Sequence, residues 1–191
     1  MLDRLRGRLE AYLGLVGRWF SRVEASPMIW TTLGVAFSIL SGVAYSTGGY
    51  DGQLTGGILI LIAGGLDIVD GAVARVMGRV SRRGAFLDST LDRVAEVVIF
   101  LGILAGRLAP PSLVLTALSL SLLVSYTRAK GDALGIALSG VGIGERSERL
   151  LVLAVTSIAG YAGWGVIVVA FVAGYTFIER VYRALKFLNH S

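Results

Sequence analysis

Residues 67–92 read DIVDGAVARVMGRVSRRGAFLDSTLD and hold four carboxylates, Asp67, Asp70, Asp88 and Asp92. Asp67 and Asp70 are spaced i, i+3, and Asp88 and Asp92 i, i+4, so on helices each pair shares one face. Carboxylate oxygens are the ligands that magnesium, manganese and calcium prefer. Four of them brought together repel strongly unless something positive lies between, and two divalent cations would balance the charge. Ion pairing with Arg75, Arg79, Arg82, Arg83 and Arg93 is the alternative that needs no metal. Arg93 itself is expected to pair with Glu96, one turn on. Gly71 and Ala74 lie beside the carboxylates, where a large side chain would block a ligand. Gly64 and Gly65, a turn earlier, suit close helix packing.

The segments that must position these groups are oily: GGILILIAGGL precedes them and VVIFLGILAG follows. The chain has 191 residues, 54% of them hydrophobic, and a mean hydropathy of +0.73. A soluble domain of this composition would expose too much apolar surface. There is no cysteine, hence no disulfide framework and no thiolate metal site. A membrane-spanning helix needs about 20 apolar residues. Six stretches approach that, from Met28 to Thr47, Gln53 to Met77, Gly84 to Ala105, Ser112 to Ala129, Leu150 to Gly163 (somewhat short) and Trp164 to Tyr182. Gly-rich turns and the Pro110-Pro111 pair separate them. The expectation is an all-α integral membrane domain over residues 28–188, with six transmembrane helices. Residues 1–24 lack the apolar core of a leader. Leu2, Leu5, Leu9, Leu13, Val16, Trp19, Phe20 and Val23 recur at helical spacing, with Arg4, Arg8, Arg18 and Arg22 mostly elsewhere on the wheel. An amphipathic helix lying on the bilayer surface fits, and so does a helix packed on the bundle.

Basic residues set the orientation. They cluster before residue 24, between Arg75 and Arg83, between Arg128 and Arg149, and at Arg180, Arg183 and Lys186, while Arg107 stands alone on the other side. Both termini and the loops after the second and fourth helices are therefore expected on the cytoplasmic side of the cell membrane. Asp88 and Asp92 lie about 6 and 12 Å along the third helix. All four aspartates then sit at the cytoplasmic headgroup level or just beneath it, where ionisable groups are functional candidates.

Asp67-x-x-Asp70-Gly71-x-x-Ala74-Arg75, eight residues, then Gly84-x-x-x-Asp88-x-x-x-Asp92 resembles the signature of the CDP-alcohol phosphotransferases, with every position filled. The six-helix span and the short amphipathic N-terminus are also similar. The resemblance implies an enzyme that takes a CDP-linked lipid, attacks its diphosphate with an alcohol and releases CMP. It implies that Asp67, Asp70, Asp88 and Asp92 hold two Mg²⁺ or Mn²⁺ ions and that Asp92 is also the general base. It places Gly71, Ala74, Arg75 and Gly84 at the CDP-lipid site, and it implies a homodimer. Independently, two close cations can clamp a diphosphate and lower the pKa of a bound hydroxyl. At headgroup depth the lipid tails stay in the bilayer while the nucleotide meets water.

For the acceptor, Ser125, Tyr126, Arg128, Lys130, Glu145, Arg146, Glu148, Arg149 and Leu150 resemble the blocks of inositol-phosphate-using members, and Arg180 resembles a further basic contributor. Ser147 stands where bacterial members often have Pro, and Arg128 and Lys130 stand in swapped order. A dianionic phosphate needs several Arg or Lys donors, which Arg128, Lys130, Arg146, Arg149 and Arg180 can supply. Positive-inside topology alone is the other reading of these charges, preferred for Arg183 and Lys186. The expected partners are a CDP-lipid (CDP-diacylglycerol or an archaeal ether lipid), inositol phosphate and the bilayer, with no nucleic acid. Glycerol 3-phosphate is the alternative acceptor. A small cation transporter is the alternative of another class; it would place ionisable groups near the midplane and on both sides, whereas these lie on one side.

Overall fold

The structure, a computed structural model, describes residues 27–76 and 81–189, apart from the side chains of Pro27, Asp70, Ala74 and Arg75. The amphipathic helix expected over residues 1–24 lies outside the described residues. Six helices follow one another: α1 (Pro27–Ser46), α2 (Gly49–Val76), α3 (Arg82–Ala105), α4 (Pro111–Ala133), α5 (Arg146–Ile158) and α6 (Ala162–Leu188). No strand occurs among the described residues.

Four of them, α1, α2, α4 and α6, are long and apolar enough to cross a membrane. The other two depart from that pattern for readable reasons. The 24 residues of α3 include Arg82, Arg83, Asp88, Asp92, Arg93 and Glu96, all in its first two-thirds. The 13 residues of α5 span about 20 Å, short of the roughly 30 Å hydrocarbon layer. Its limits also differ from the apolar stretch at Leu150 to Gly163. Glu145 and Glu148 form a reciprocal capping box that starts the helix at Arg146, before the oily residues begin. At the other end Tyr161 N bonds Thr156 O (2.7 Å) and Gly160 N bonds Ser157 O (2.9 Å). Gly160, at φ +83°, supplies the left-handed residue such a stop requires.

The helices close into a ring in which α1 packs on α2 and α3, α2 on α5, α5 on α6, α6 on α4, and α4 lightly on α3. Tyr45, Ile60, Ile99, Phe100, Ile103, Val114, Ala117, Leu153, Ala154, Val166 and Val169 fill the centre. The Tyr45 hydroxyl, fully buried, meets its hydrogen-bonding need by donating to Ser157 Oγ at 2.8 Å. Between α1 and α3 the backbones touch, since a methyl on Gly102 would collide with the Gly42 carbonyl. Outside the ring, Trp164, Ile167, Val168, Phe171, Tyr175, Ile178 and Tyr182 of α6 are exposed. In water that stripe would be an unprotected apolar patch; against lipid it is a solvated face.

Candidate metal centre and its basic rim

Asp67 lies in the last third of α2, and α3 carries Asp88 and Asp92 in its first three turns. Ser81 caps α3 by accepting from Gly84 N at 3.0 Å. A methyl at position 84 would stand 3.1 Å from that hydroxyl, a tight contact. At Gly71 a methyl would meet nothing within 4 Å among the described residues.

Asp67, Asp88 and Asp92 each direct a carboxylate oxygen into one place, all within 4.8 Å of one another. Asp70 follows Asp67 by one turn on the α2 backbone. The acidic faces of the two helices therefore meet, as the spacing requires. A further side chain comes from across the bundle: Arg146, the first residue of α5, places Nη1 2.7 Å from Asp92 Oδ1 and 3.7 Å from Asp67 Oδ1. Arg93 Nη1 lies 3.4 Å from Asp92 Oδ2 and donates to Ser89 O at 2.8 Å. Asp88 Oδ1 is buried with no hydrogen-bond partner among the described residues. An oxygen-only donor set and an orphaned carboxylate oxygen fit a hard divalent cation, while Arg146 supplies positive charge at the same spot. A small cavity opens from this point between α1, α2, α3 and α5, lined by Trp30, Gly34, Gly64, Asp67, Asp92 and Arg146 among others.

The basic rim is organised by acids. Glu145 Oε1 accepts from Arg180 Nη2 at 2.7 Å and from Gly140 N at 3.1 Å, and its Oε2 is 3.7 Å from Arg128 Nη1. Arg180, almost fully buried, also donates to Val141 O (3.1 Å) and Val124 O (2.8 Å). Arg149 is buried too, with Nε and Nη2 on Glu96 Oε1 at 3.3 and 2.9 Å. Lys130 is exposed. The structure thus brings Arg146 to the aspartates and draws Arg128 and Arg180 to one carboxylate. Arg149 is held from behind.

Two sequence expectations are corrected. Glu96 pairs with Arg149, not with Arg93, because Glu96 points into the bundle with none of its surface exposed while Arg93 stays at the edge. Gly64 and Gly65 do not serve close packing among the described residues: a methyl at either would meet nothing of theirs within 4 Å. Sequence reading also passed over the organising role of Glu145. The available signal was an i, i+3 pair of glutamates opening α5, the pattern of a capping box.

A model of the CDP-alcohol phosphatidyltransferase family matches residues 25–176. The chain belongs to the CDP-alcohol phosphatidyltransferase family. Among its relatives in that family, the archaetidylinositol phosphate synthase of Pyrococcus horikoshii is 33% identical over 189 residues, covering 99% of each chain. That of Methanothermobacter thermautotrophicus is 38% identical, covering 82% of this chain and 83% of the other. The phosphatidylinositol phosphate synthase of Streptomyces avermitilis is 43% identical, covering 74% of this chain and 59% of the other. The fold is similar to the crystal structure of Mycobacterium tuberculosis phosphatidylinositol phosphate synthase in complex with manganese and citrate. The TM-score is 0.77 and the identity 25%, over 91% of this chain and 88% of that one. The same synthase with CDP-DAG bound gives a TM-score of 0.76, over 90% and 92%. As a phosphatidyltransferase of this family, the chain is an all-helical membrane enzyme.

Proposed function

We propose that the protein transfers the phospholipid moiety of a CDP-lipid to inositol phosphate, giving a phosphoinositol phosphate lipid and CMP. The observation that carries this reading is the meeting of three aspartates from α2 and α3 with an arginine-rich rim from α4, α5 and α6. One side suits a cation-bound diphosphate and the other a second phosphate. Relatives that match over most or all of the chain are named as inositol phosphate lipid synthases, which supports the choice of acceptor. Archaetidylinositol phosphate synthases among them favour an ether lipid as donor.

In this reading Asp67, Asp70, Asp88 and Asp92 hold two divalent cations, Mg²⁺ or Mn²⁺. Such ions neutralise the diphosphate and stabilise charge on the leaving CMP oxygen. Gly71, Ala74, Arg75 and Gly84 line the CDP side, and the open space at Gly71 supports this. Asp92 takes the proton from the acceptor hydroxyl as its oxygen attacks the lipid-bearing phosphorus and the bond to CMP breaks. Arg128, Lys130 and Arg146 hold the acceptor phosphate through charge-assisted hydrogen bonds; Arg149 and Arg180, expected among them from the sequence, are buried on Glu96 and Glu145 and support the rim from within. Six membrane crossings over residues 28–188, cytoplasmic termini and site, and a homodimer complete the proposal.

The test is CMP release by purified protein in nanodiscs, with one CDP-lipid and a panel of acceptor alcohols. Turnover with inositol phosphate is expected. Turnover with glycerol 3-phosphate and none with inositol phosphate would give the function to a glycerol phosphate lipid synthase instead.

A further inference from the structure

On α3, Asp92 and Glu96 lie one turn apart, and on α5, Arg146 and Arg149 lie three residues apart. Their side chains form two rungs between the helices, Asp92–Arg146 at 2.7 Å and Glu96–Arg149 at 2.9 Å. Yet α3 and α5 are not neighbours in the ring of packed helices. The rungs link their polar ends, beside the apolar core that both helices enter.

The rungs differ in character. Arg146 and Asp92 each keep 19% of their side-chain surface exposed, whereas Arg149 and Glu96 keep 1% and 0%. Arg149 reaches further, donating through Nη1 to Gly144 O at 2.5 Å and through Nη2 to Ser121 O at 3.4 Å. Four of a guanidinium's five N–H donors are thereby engaged, leaving one for anything else. Glu96 takes both of its contacts on Oε1, and its Oε2 is buried without a partner. A buried ion pair with an orphaned oxygen is a poor source of stability, and a well-packed apolar pair would serve that end as well. Its geometry, by contrast, is specific. It fixes the Gly144 carbonyl, and with it the turn that leads into Arg146, at a set distance from α3.

We propose that Glu96, acting through Arg149, is a positioning residue for the acceptor side of the site. The acceptor in the reading above has a hydroxyl that must reach Asp92 and a phosphate that must reach the arginines, on one small molecule. The separation of those two binding points therefore has to match the molecule, and the buried rung sets it. This inference rests on that reading.

Glu96→Asp keeps the charge and draws the carboxylate back by one methylene, and Arg149→Lys keeps the charge and removes the fork. CMP release is measured while inositol phosphate and CDP-lipid are titrated separately, alongside thermal unfolding. An ångström-scale misplacement should raise the acceptor KM about ten- to a hundredfold. The KM for CDP-lipid should stay close to wild type; the unfolding midpoint should hold in Glu96→Asp and fall in Arg149→Lys, which strands buried carbonyl partners. Equal rises in both KM values together with a fallen midpoint would mark a merely structural pair and overturn the inference, as would loss of the fold in Glu96→Asp or an unchanged acceptor KM. Wild-type protein that is inactive with inositol phosphate but active with glycerol 3-phosphate overturns the reading of the acceptor, and the same comparison with glycerol 3-phosphate then decides the role of Glu96.

Discussion

Two glycine pairs on α2, less than two turns apart, do opposite things. At Gly56 a methyl would stand 2.8 Å from the Tyr45 ring, and at Gly57 2.8 Å from the Ala154 carbonyl. There the missing side chains admit the Tyr45 ring of α1 and the backbone of α5. At Gly64 and Gly65, and again at Gly71, a methyl would meet nothing within 4 Å. One half of the helix is closed by its glycines and the other is left open by them. Glycine in a membrane helix is thus no packing signal by itself; the neighbour it faces decides what its smallness does. The open half is where the aspartates converge, and in the proposed function the room beside them admits substrate.

Breaking the open half should cost turnover and leave stability alone. Asp92→Asn is expected to lower CMP release by about a thousandfold or more, within the range for a lost general base. Chelation of divalent cations should abolish release in the wild type, with recovery on adding Mg²⁺ or Mn²⁺. Undiminished release in excess chelator would remove the metal from the account. In the closed half, Gly57→Leu should force α2 and α5 apart and destabilise the protein by about 3 kcal/mol, read as a lowered thermal midpoint. Gly71→Leu tests the contrast directly, because its midpoint should hold while the KM for CDP-lipid rises about tenfold, a difference of about 1.4 kcal/mol. A large fall in its midpoint would mean that Gly71 is packed after all. The smallest effect is expected at Gly65→Ala. It should be neutral or stabilise by up to about 1 kcal/mol, since alanine is the better helix former and finds open space. Destabilisation measured there would close the distinction between the halves.

The helices and the meeting of the acidic faces were legible in sequence because both follow from local periodicity. Apolar runs gave α1 within one residue of its ends and α2 and α4 within four, while α6 continues six residues past Tyr182 to Leu188. The offsets of Asp67, Asp88 and Asp92 required shared faces on two successive helices. The start of α5 was not legible from hydropathy, since its first turn, Arg146 to Arg149, is polar and only the reciprocal capping by Glu145 and Glu148 makes it helical. The partner of Glu96 was hidden for another reason. Arg93 is the near choice along the chain, but Arg149, 53 residues away, is the near choice in space. Gly64 and Gly65 were misread because sequence shows that a side chain is missing and not what lies opposite.

The length of α2 has a consequence for how this enzyme must be measured. Its 28 residues extend about 42 Å, roughly 12 Å more than a hydrocarbon layer. In the proposed topology an overhang of that size, placed on the side of Val76, reaches back almost to Asp67 and would bring the reacting phosphorus to the water boundary. One substrate then arrives by diffusing in a plane and the other by diffusing in a volume. Its lipid affinity is a mole fraction of the surface, its acceptor affinity a molarity. Diluting the membrane with inert lipid should slow the reaction even when every bulk concentration is held constant.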